Sequence, residues 1–421
     1  MSSALVSSWR RFAGGAIGVA LIAAGLAKMW SVARGGVDFP SMYVMGEGVT
    51  LGRNIYDPAV ALTFPGRFGV VQPAGMFYPP ATGVIMAPFA LLPFGVSKTL
   101  WFVLLSVSMI FGVRALVQRV APGRPSYVWT ISAGIVLLSS AVRWGMMLLQ
   151  GAPLVLGLLC LFVALLHGER PRLTLIVAAL ATALKMTLAL PFLGLLALHR
   201  RFGALAASLG AWLLLDVVGF LRMGRDSFAM YRENMGSLEA LNTVNAPDPW
   251  SNPALPRLDW TFLVYGITGQ LTVARLATFA LSGGVALWLL FAGYRARQRP
   301  SLATSTAFLA ALVCLGSLAV YHHEYDACLF LTPLLLGFFL WQKKRPPTWT
   351  LLVLAPLTLM LLLLPLGVVR GIMTDHFGTL GVGLTKLSFP VAFSLAICGS
   401  LGIIHWNARA EASAPKAELG A

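Results

Sequence analysis

The chain has 421 residues, 58% of them hydrophobic and only 11% charged, with a mean hydropathy of +0.80. A soluble domain carries about 25% charged residues, so this composition speaks against a soluble enzyme. It also lacks the alternating ten-residue segments of a β-barrel. The net charge of +16 comes from 31 Lys+Arg against 15 Asp+Glu. That surplus is spread over short loops between apolar runs, as the positive-inside rule predicts, and no nucleic-acid-binding motif accompanies it. The expectation is an all-α, polytopic membrane protein with no nucleic-acid partner.

Taken in order, Arg10-Arg11 precede an apolar run from Phe12 to Trp30. That run is long for a cleaved signal and reads as a retained anchor helix. Spans are expected at 12–33, 95–117, 127–142, 152–167, 173–184, 186–198, 202–220, 272–294, 301–319, 327–341, 348–367 and 386–405, about twelve crossings by the length a bilayer requires. The region 173–198 also reads as one kinked hairpin or one tilted helix. Residues 1–407 then form a single transmembrane domain, and 408–421 a disordered cytoplasmic tail. Clusters such as Arg170 to Arg172, Arg200-Arg201 and Lys343 to Arg345 fall on one side by alternation, which assigns both termini to the cytoplasm. The opposite side holds the long loops 34–94 and 221–271 and eleven of the fifteen carboxylates.

The first outer loop contains Ser41–Leu51, an interfacial helix candidate after Pro40. It also contains Ala81–Leu92, a short apolar helix after Pro79-Pro80 that is too short to span and reads as re-entrant or interfacial. The second outer loop carries a Pro/Asn/Asp-rich stretch from Asn245 to Pro253, the composition of ordered turns or a lid. The four cysteines lie in apolar segments without ligand spacing.

Three features carry chemistry. Asp38 lies just beyond the first span, after Gly35-Gly36, and an ionisable group there is costly unless hydrated, paired or in use. The outer turn Tyr321-His322-His323-Glu324-Tyr325-Asp326 puts His322 and Asp326 on one face at helical spacing. A His–Asp pair binds phosphate or exchanges protons near neutral pH. Zinc is the alternative, although the second histidine of the metalloprotease motif is missing. Lys185 and Arg143 interrupt apolar runs on the same side, where a cation snorkels to water or meets an anion. Arg222, Arg225 and Arg232 are weaker candidates, and Asp216 inside a span calls for a partner in the bundle. No phosphate loop, dinucleotide fingerprint or nucleophile elbow is present. A phosphate-bearing substrate would therefore arrive on a lipid.

The chain resembles glycosyltransferase family 87, membrane transferases of the GT-C type that use polyprenyl-phosphate sugars. The resemblance rests on Asp38-Phe39, Tyr43, Gly52, Ile55-Tyr56-Asp57, Tyr78-Pro79-Pro80, Ala87-Pro88, Leu91-Leu92-Pro93-Phe94 and Trp101. It continues through Gln150-Gly151, Lys185, Arg200-Arg201 and the His322 to Asp326 turn, over roughly residues 10–330. Gln150-Gly151 reverses the family's usual Gly-Gln. The resemblance implies a GT-C bundle with its cavity on the outer face of the inner membrane. It implies a lipid-phosphate-linked sugar donor, with mannose favoured, and a lipid or glycan acceptor. It implies inversion at the anomeric carbon, with Asp38 as general base and Lys185, His322 and His323 on the donor phosphate. Arg143 joins that set by our own reading of its depth. Tyr43, Tyr56, Asp57, Tyr78 and Asp326 are then supporting or acceptor-side residues. No cofactor or metal site is expected, with a divalent ion left open. A multi-span transporter of solutes or lipids and a non-catalytic subunit of an envelope-synthesis complex are the alternatives.

Overall fold

The computed structural model describes residues 3–33, 38–69, 76–168, 170–237, 245–251, 256–295, 300–344 and 366–413, with isolated positions between 347 and 358. The expected span 348–367 and the tail beyond Ser413 lie largely or wholly outside the described residues. Among those described, the chain is helical and contains no strand.

The first long helix, α1, runs Ser3–Ala33. The first outer loop folds into α2 (Phe39–Leu51), two short helices, α3 (Pro58–Ala61) and α4 (Phe64–Phe68), and α5 (Pro80–Ala90). Then follow α6 (Phe94–Val120), α7 (Tyr127–Leu138), α8 (Ser140–Leu148), α9 (Ala152–His167) and α10 (Pro171–Leu184). Next are α11 (Leu190–Leu198), α12 (Phe202–Met223), α13 (Ser227–Ser237), α14 (Trp260–Thr268), α15 (Leu271–Arg295), α16 (Leu302–Ala319) and α17 (Leu331–Lys344). A final helix, Leu366–Ser413, is kinked at Gly378.

Six of these helices are long and apolar enough to cross a bilayer, and the bent pair α7–α8 is so too when its two halves are taken as one span. The bend is 61° and falls at Ser139, whose extended backbone ends one helix before the next begins. Helices α9 and α10 are apolar but shorter than a full crossing. The expected span 186–198 is a 3₁₀ turn at Met186–Leu188 followed by α11. The last helix runs on past residue 408, where the sequence reading began the tail.

Burial separates inner from outer helices. Along α16 every residue from Ala303 to Leu318 is buried, so this helix is the axis of the bundle. Helices α12 and α15 instead expose large apolar side chains, including Leu214, Leu221, Phe279 and Leu290. Such exposure is a liability in water and is the normal condition against lipid, where helices satisfy their own backbone groups.

Helices α2 and α5 seat the first outer loop, and they meet through glycines. A β-carbon on Gly46 would lie 2.6 Å from the Met86 carbonyl oxygen, and one on Gly83 would lie 2.8 Å from that of Met45. Backbone cannot yield as a flexible side chain does. Gly46→Ala is expected to push α2 from α5 and destabilise the protein by about 1–3 kcal/mol, the usual range for overpacking. A thermal melt of the purified variant, lower than that of the parent, is the check.

Candidate active site

Four chain segments end where polar groups are needed. Asp38 stands at the start of α2, in the capping position, yet its carboxylate does not cap that helix. Its backbone N–H donates to the Leu148 carbonyl at 3.1 Å, and its Oδ2 accepts from Gln150 Nε2 at 2.8 Å. Oδ1 takes no hydrogen bond among the described residues. The Gln150 amide also lies 3.0 Å from the Tyr78 hydroxyl and 3.2 Å from that of Tyr325.

Lys185 closes α10 in an extended conformation (φ −154°, ψ 87°), which turns its side chain out of the helix. Its ammonium donates to Asp326 Oδ1 at 2.6 Å and lies 3.4 Å from Gln150 Oε1. It also sits 5.3 Å from the centre of the Tyr325 ring. Asp326 belongs to a 3₁₀ turn, Glu324–Phe330, between α16 and α17. Its Oδ2 accepts from His322 Nδ1 at 2.8 Å, and His322 Nε2 faces the Thr187 carbonyl at 3.2 Å. Asp38, Gln150, Lys185, Asp326 and His322 thus form one continuous polar chain. Its members lie up to 288 positions apart in the sequence, from Asp38 to Asp326.

The two carboxylates in this chain differ in ionisation. Burial pushes the Asp38 carboxyl up to about 6, against the Gln150 hydrogen bond and the Lys185 charge. Burial acts on Asp326 in the same sense, but the Lys185 charge and the His322 hydrogen bond outweigh it and hold that carboxyl at about 2. The two carboxyls are thus driven apart, Asp326 held ionised and Asp38 left near its midpoint. The hydroxyls of Tyr78 and Tyr325 are pushed well above the usual phenol range, first by burial and then by the nearby carboxylates, so both stay protonated.

His323 lies beside this chain and points away from it. Its Nδ1 faces the Pro256 carbonyl at 3.2 Å, and its Nε2 meets the Tyr321 hydroxyl and the Asn245 side chain. Burial lowers it to about 4, so it is neutral at physiological pH. These partners come from the second outer loop. Arg257, fully buried, makes a bidentate ion pair with Asp259 (2.8 and 2.9 Å), donates to the Asn245 carbonyl at 3.0 Å, and stacks 4.6 Å from the Tyr321 ring centre. Asp259 also caps α14 through the Phe262 N–H at 3.1 Å. Leu258 N–H donates to the His322 carbonyl at 2.9 Å, within an isolated bridge between Arg257 and His323. The loop therefore fixes the backbone of the histidine turn.

The remaining expected residues lie further out. The Tyr43 hydroxyl donates to the Leu92 carbonyl, and its ring packs on Phe39, Phe68 and Phe94. Tyr56 is fully buried and donates to the Tyr78 carbonyl at 2.9 Å, which fixes Tyr78 from behind. Asp57 caps α3 through the Ala59 N–H. Arg143 lies partly buried on α8 and makes no polar side-chain contact among the described residues. Asp216 has found its partner: it accepts from the Ala81 N–H at 2.7 Å and caps α5. Arg222 caps the end of α2 through the Val49 and Thr50 carbonyls. Among the described residues no three His, Cys, Asp or Glu side chains converge as metal ligands would.

The family model of glycosyltransferase family 87 matches residues 77–320. The chain belongs to glycosyltransferase family 87. No curated protein matches it. Membership makes the protein a membrane glycosyltransferase, and the matched region includes Tyr78, Gln150 and Lys185, while Asp38 and the His322–Asp326 turn flank it.

Three participants were not singled out as site residues from the sequence of this glycosyltransferase: Gln150, Asn245 and the Arg257–Asp259 pair. Two of the three carried a signal. Gln150 interrupts two apolar runs, and Arg257-Leu258-Asp259 places opposite charges two residues apart just before an apolar helix. The buried pair gives a direct check. Arg257→Met strands a buried carboxylate and is expected to destabilise by about 3–5 kcal/mol, whereas Arg257→Met with Asp259→Leu recovers much of that loss. Denaturation midpoints of the two variants measure it.

Proposed function

We propose that this glycosyltransferase moves a hexose, mannose favoured, from a polyprenyl-phosphate sugar to a hydroxyl of a lipid or glycan acceptor. The reaction takes place at the outer face of the inner membrane and inverts the anomeric centre. The observation that carries the reading is the pair of carboxylates in one polar chain: one pushed up to about 6 with an oxygen to spare, the other held at about 2 by a lysine and a histidine.

In this account the acceptor hydroxyl donates its hydrogen bond to Asp38 Oδ1. As its oxygen attacks the anomeric carbon, the proton passes to Asp38 and the sugar–phosphate C–O bond breaks. The lipid phosphate leaves with the bonding electrons. A general base works best when its pKa lies near the operating pH, and Asp38 meets that condition. The leaving phosphate gains negative charge, which fixed donors stabilise in a dry site. Lys185 has three N–H groups and two protein partners, so it retains a donor for that phosphate. His322 stands beside it. Asp326, itself fixed by His322, holds the Lys185 donor in place, and His323 serves the turn's architecture. Tyr78 and Tyr325 orient the Gln150 amide. No separate acid is required, because phosphate is already a good leaving group.

The outer-face assignment follows from charge. By alternation of the spans along the sequence, Asp38, Asp326 and Asp259 fall on the acidic side, opposite the basic turns that the positive-inside rule assigns to the cytoplasm. About twelve crossings, with α5 re-entrant and both termini cytoplasmic, complete this topology.

Purified protein supplied with polyprenyl-phosphate-mannose and a membrane-lipid extract tests the reading. Asp38→Asn is expected to lower kcat by at least about 10²-fold, the scale of general-base catalysis. In the wild type, kcat/KM falls about tenfold per pH unit below pH about 6, because the base becomes protonated. The stability effect has the opposite sign. The folded carboxyl lies above its ordinary value of 3.8, so ionising it between pH 4 and 6 weakens the fold. Asp38→Asn therefore melts no lower than wild type at neutral pH. Undiminished transfer by the variant would remove Asp38 from the mechanism.

A further inference from the structure

Among the described residues, two other than glycine adopt left-handed backbone: Leu149, which ends α8 beside Gln150 (φ 54°), and Arg200 (φ 54°). Such strain collects at functional sites, and Arg200 lies in a turn that the mechanism leaves unused. That turn ends α11. Arg201 N–H donates to the Leu196 carbonyl at 2.8 Å and Arg200 N–H to that of Ala197 at 2.9 Å, a helix stop in which the position of Arg200 is usually glycine. The turn brings His199 and Arg201 against the end of α9. Arg201 Nη2 donates to the Leu166 carbonyl at 3.2 Å, and Arg119, in the last turn of α6, donates to the carbonyl of His167. The His167 and His199 rings meet edge to face at 5.2 Å, and His199 Nε2 lies 3.0 Å from Ser305 Oγ on α16.

This junction lies far from the polar chain. α9 starts two residues after Gln150 and runs 16 residues to His167, a rise of about 24 Å at about 1.5 Å per residue. The positive-inside assignment puts it at the cytoplasmic face. Part of its charge has a structural use: the last carbonyls of α9 lack helical partners, and a cation at a helix C-terminus is favourable. That use takes one N–H from each guanidinium. Arg201 Nη1 and His167 Nε2 remain, both buried and both without a hydrogen-bond partner among the described residues. Leaving a charged donor so placed is expensive. Neither Arg119 nor Arg201 pairs with a carboxylate among the described residues. Both charges act on the His167 imidazole, and that of Arg201 acts on His199 as well. Three helix ends thus gather positive charge and unused donors in one place, and the exposed Arg119 leaves it open to the outside.

We propose that the junction of α6, α9 and α11 binds a phosphate group, held by Arg119, Arg201 Nη1 and His167 Nε2, with His199 and Ser305 beside the His167 ring. A tetrahedral oxyanion offers several acceptors to donors arriving from several directions, and the planar guanidinium fork matches two of its oxygens. Two carriers supply this chemistry: the headgroup of an anionic phospholipid in the adjoining leaflet, and free phosphate. Basic pockets between transmembrane helices suit the first. Bound there, the phosphate ties α6, α9 and the turn after α11 together. The inference stands apart from the reading of Asp38 and from sugar transfer.

Native mass spectrometry and thermal melting of the full-length protein in detergent test this, with phosphatidylglycerol, phosphatidylcholine and inorganic phosphate as probes. Wild type is expected to retain phosphatidylglycerol over phosphatidylcholine by about tenfold or more, the worth of one charge-assisted hydrogen bond. His167→Phe keeps the ring and removes the unpartnered nitrogen. It is expected to melt no lower than wild type without lipid and to lose about threefold or more of that preference. Arg201→Lys keeps a charge and one donor for the Leu166 carbonyl but loses the fork, with a loss of similar size. A lipid preference that inorganic phosphate does not displace supports the site and assigns it to the headgroup. A rise in melting temperature with inorganic phosphate, absent in both variants and without a lipid preference, supports it and assigns it to free phosphate. A lipid preference of equal size in wild type, His167→Phe and Arg201→Lys overturns the proposal, because it reports only the general attraction of a basic protein for anionic lipid. Equal retention of the two lipids with no effect of phosphate on melting also overturns it.

Discussion

The hydrogen bond from the Gln150 amide to Asp38 is the contact on which the site depends. Two carboxylates enter the same low-dielectric region, and both cannot be ionised there without compensation. Lys185 and His322 compensate Asp326 directly. Asp38 receives only a neutral amide and the more distant Lys185 charge, so it stays close to its protonation midpoint. An uncharged connector is the right chemistry for this purpose. A second lysine in place of Gln150 would hold Asp38 ionised but make it a poor proton acceptor.

The scaffold delivers these groups by interrupting helices. A polar side chain in mid-membrane is costly, and each member of the chain sits where a helix stops. Asp38 lies between α1 and α2, Gln150 after the strained end of α8, Lys185 after α10, and His322 to Asp326 after α16. The breaks free side chains to turn inward while the apolar helices beside them remain regular. Around that centre, other buried polar groups support the backbone. Tyr56 fixes Tyr78, Asp216 caps α5, and the Arg257–Asp259 pair fixes the histidine turn. Each satisfies groups that would otherwise be buried unpaired, which is expensive in such an interior.

The legible part of the sequence was its charge. Asp38, Lys185, His322 and Asp326 stand out because ionisable residues are rare in this chain, and all four meet in the structure. Neutral polar residues gave less signal. Gln150 looks like any polar break between two apolar runs, and nothing local in the sequence reveals that its amide meets groups 112 and 175 positions away. The orientation of His323 was equally hidden. Two adjacent histidines look alike in sequence, and only the second outer loop decides that one faces the site and the other faces Pro256 and Asn245. Helix ends were harder still. The α7–α8 bend at Ser139 has no proline or glycine at the break, so the hydropathy pattern reads through it as one span, 127–142, whereas the break at Lys185 shows in the sequence as a charge between two apolar runs.

The central claim is that Asp38, Lys185 and Asp326 form one electrostatic unit, and infrared titration of the Asp38 carboxyl tests it most directly. The difference spectrum between wild type and Asp38→Asn isolates the carboxylic acid band of this residue. That band is expected to titrate with a midpoint near 6, and in Lys185→Met the midpoint moves higher as the lysine charge is lost. A midpoint in the ordinary aspartate range that is indifferent to Lys185 would contradict the account.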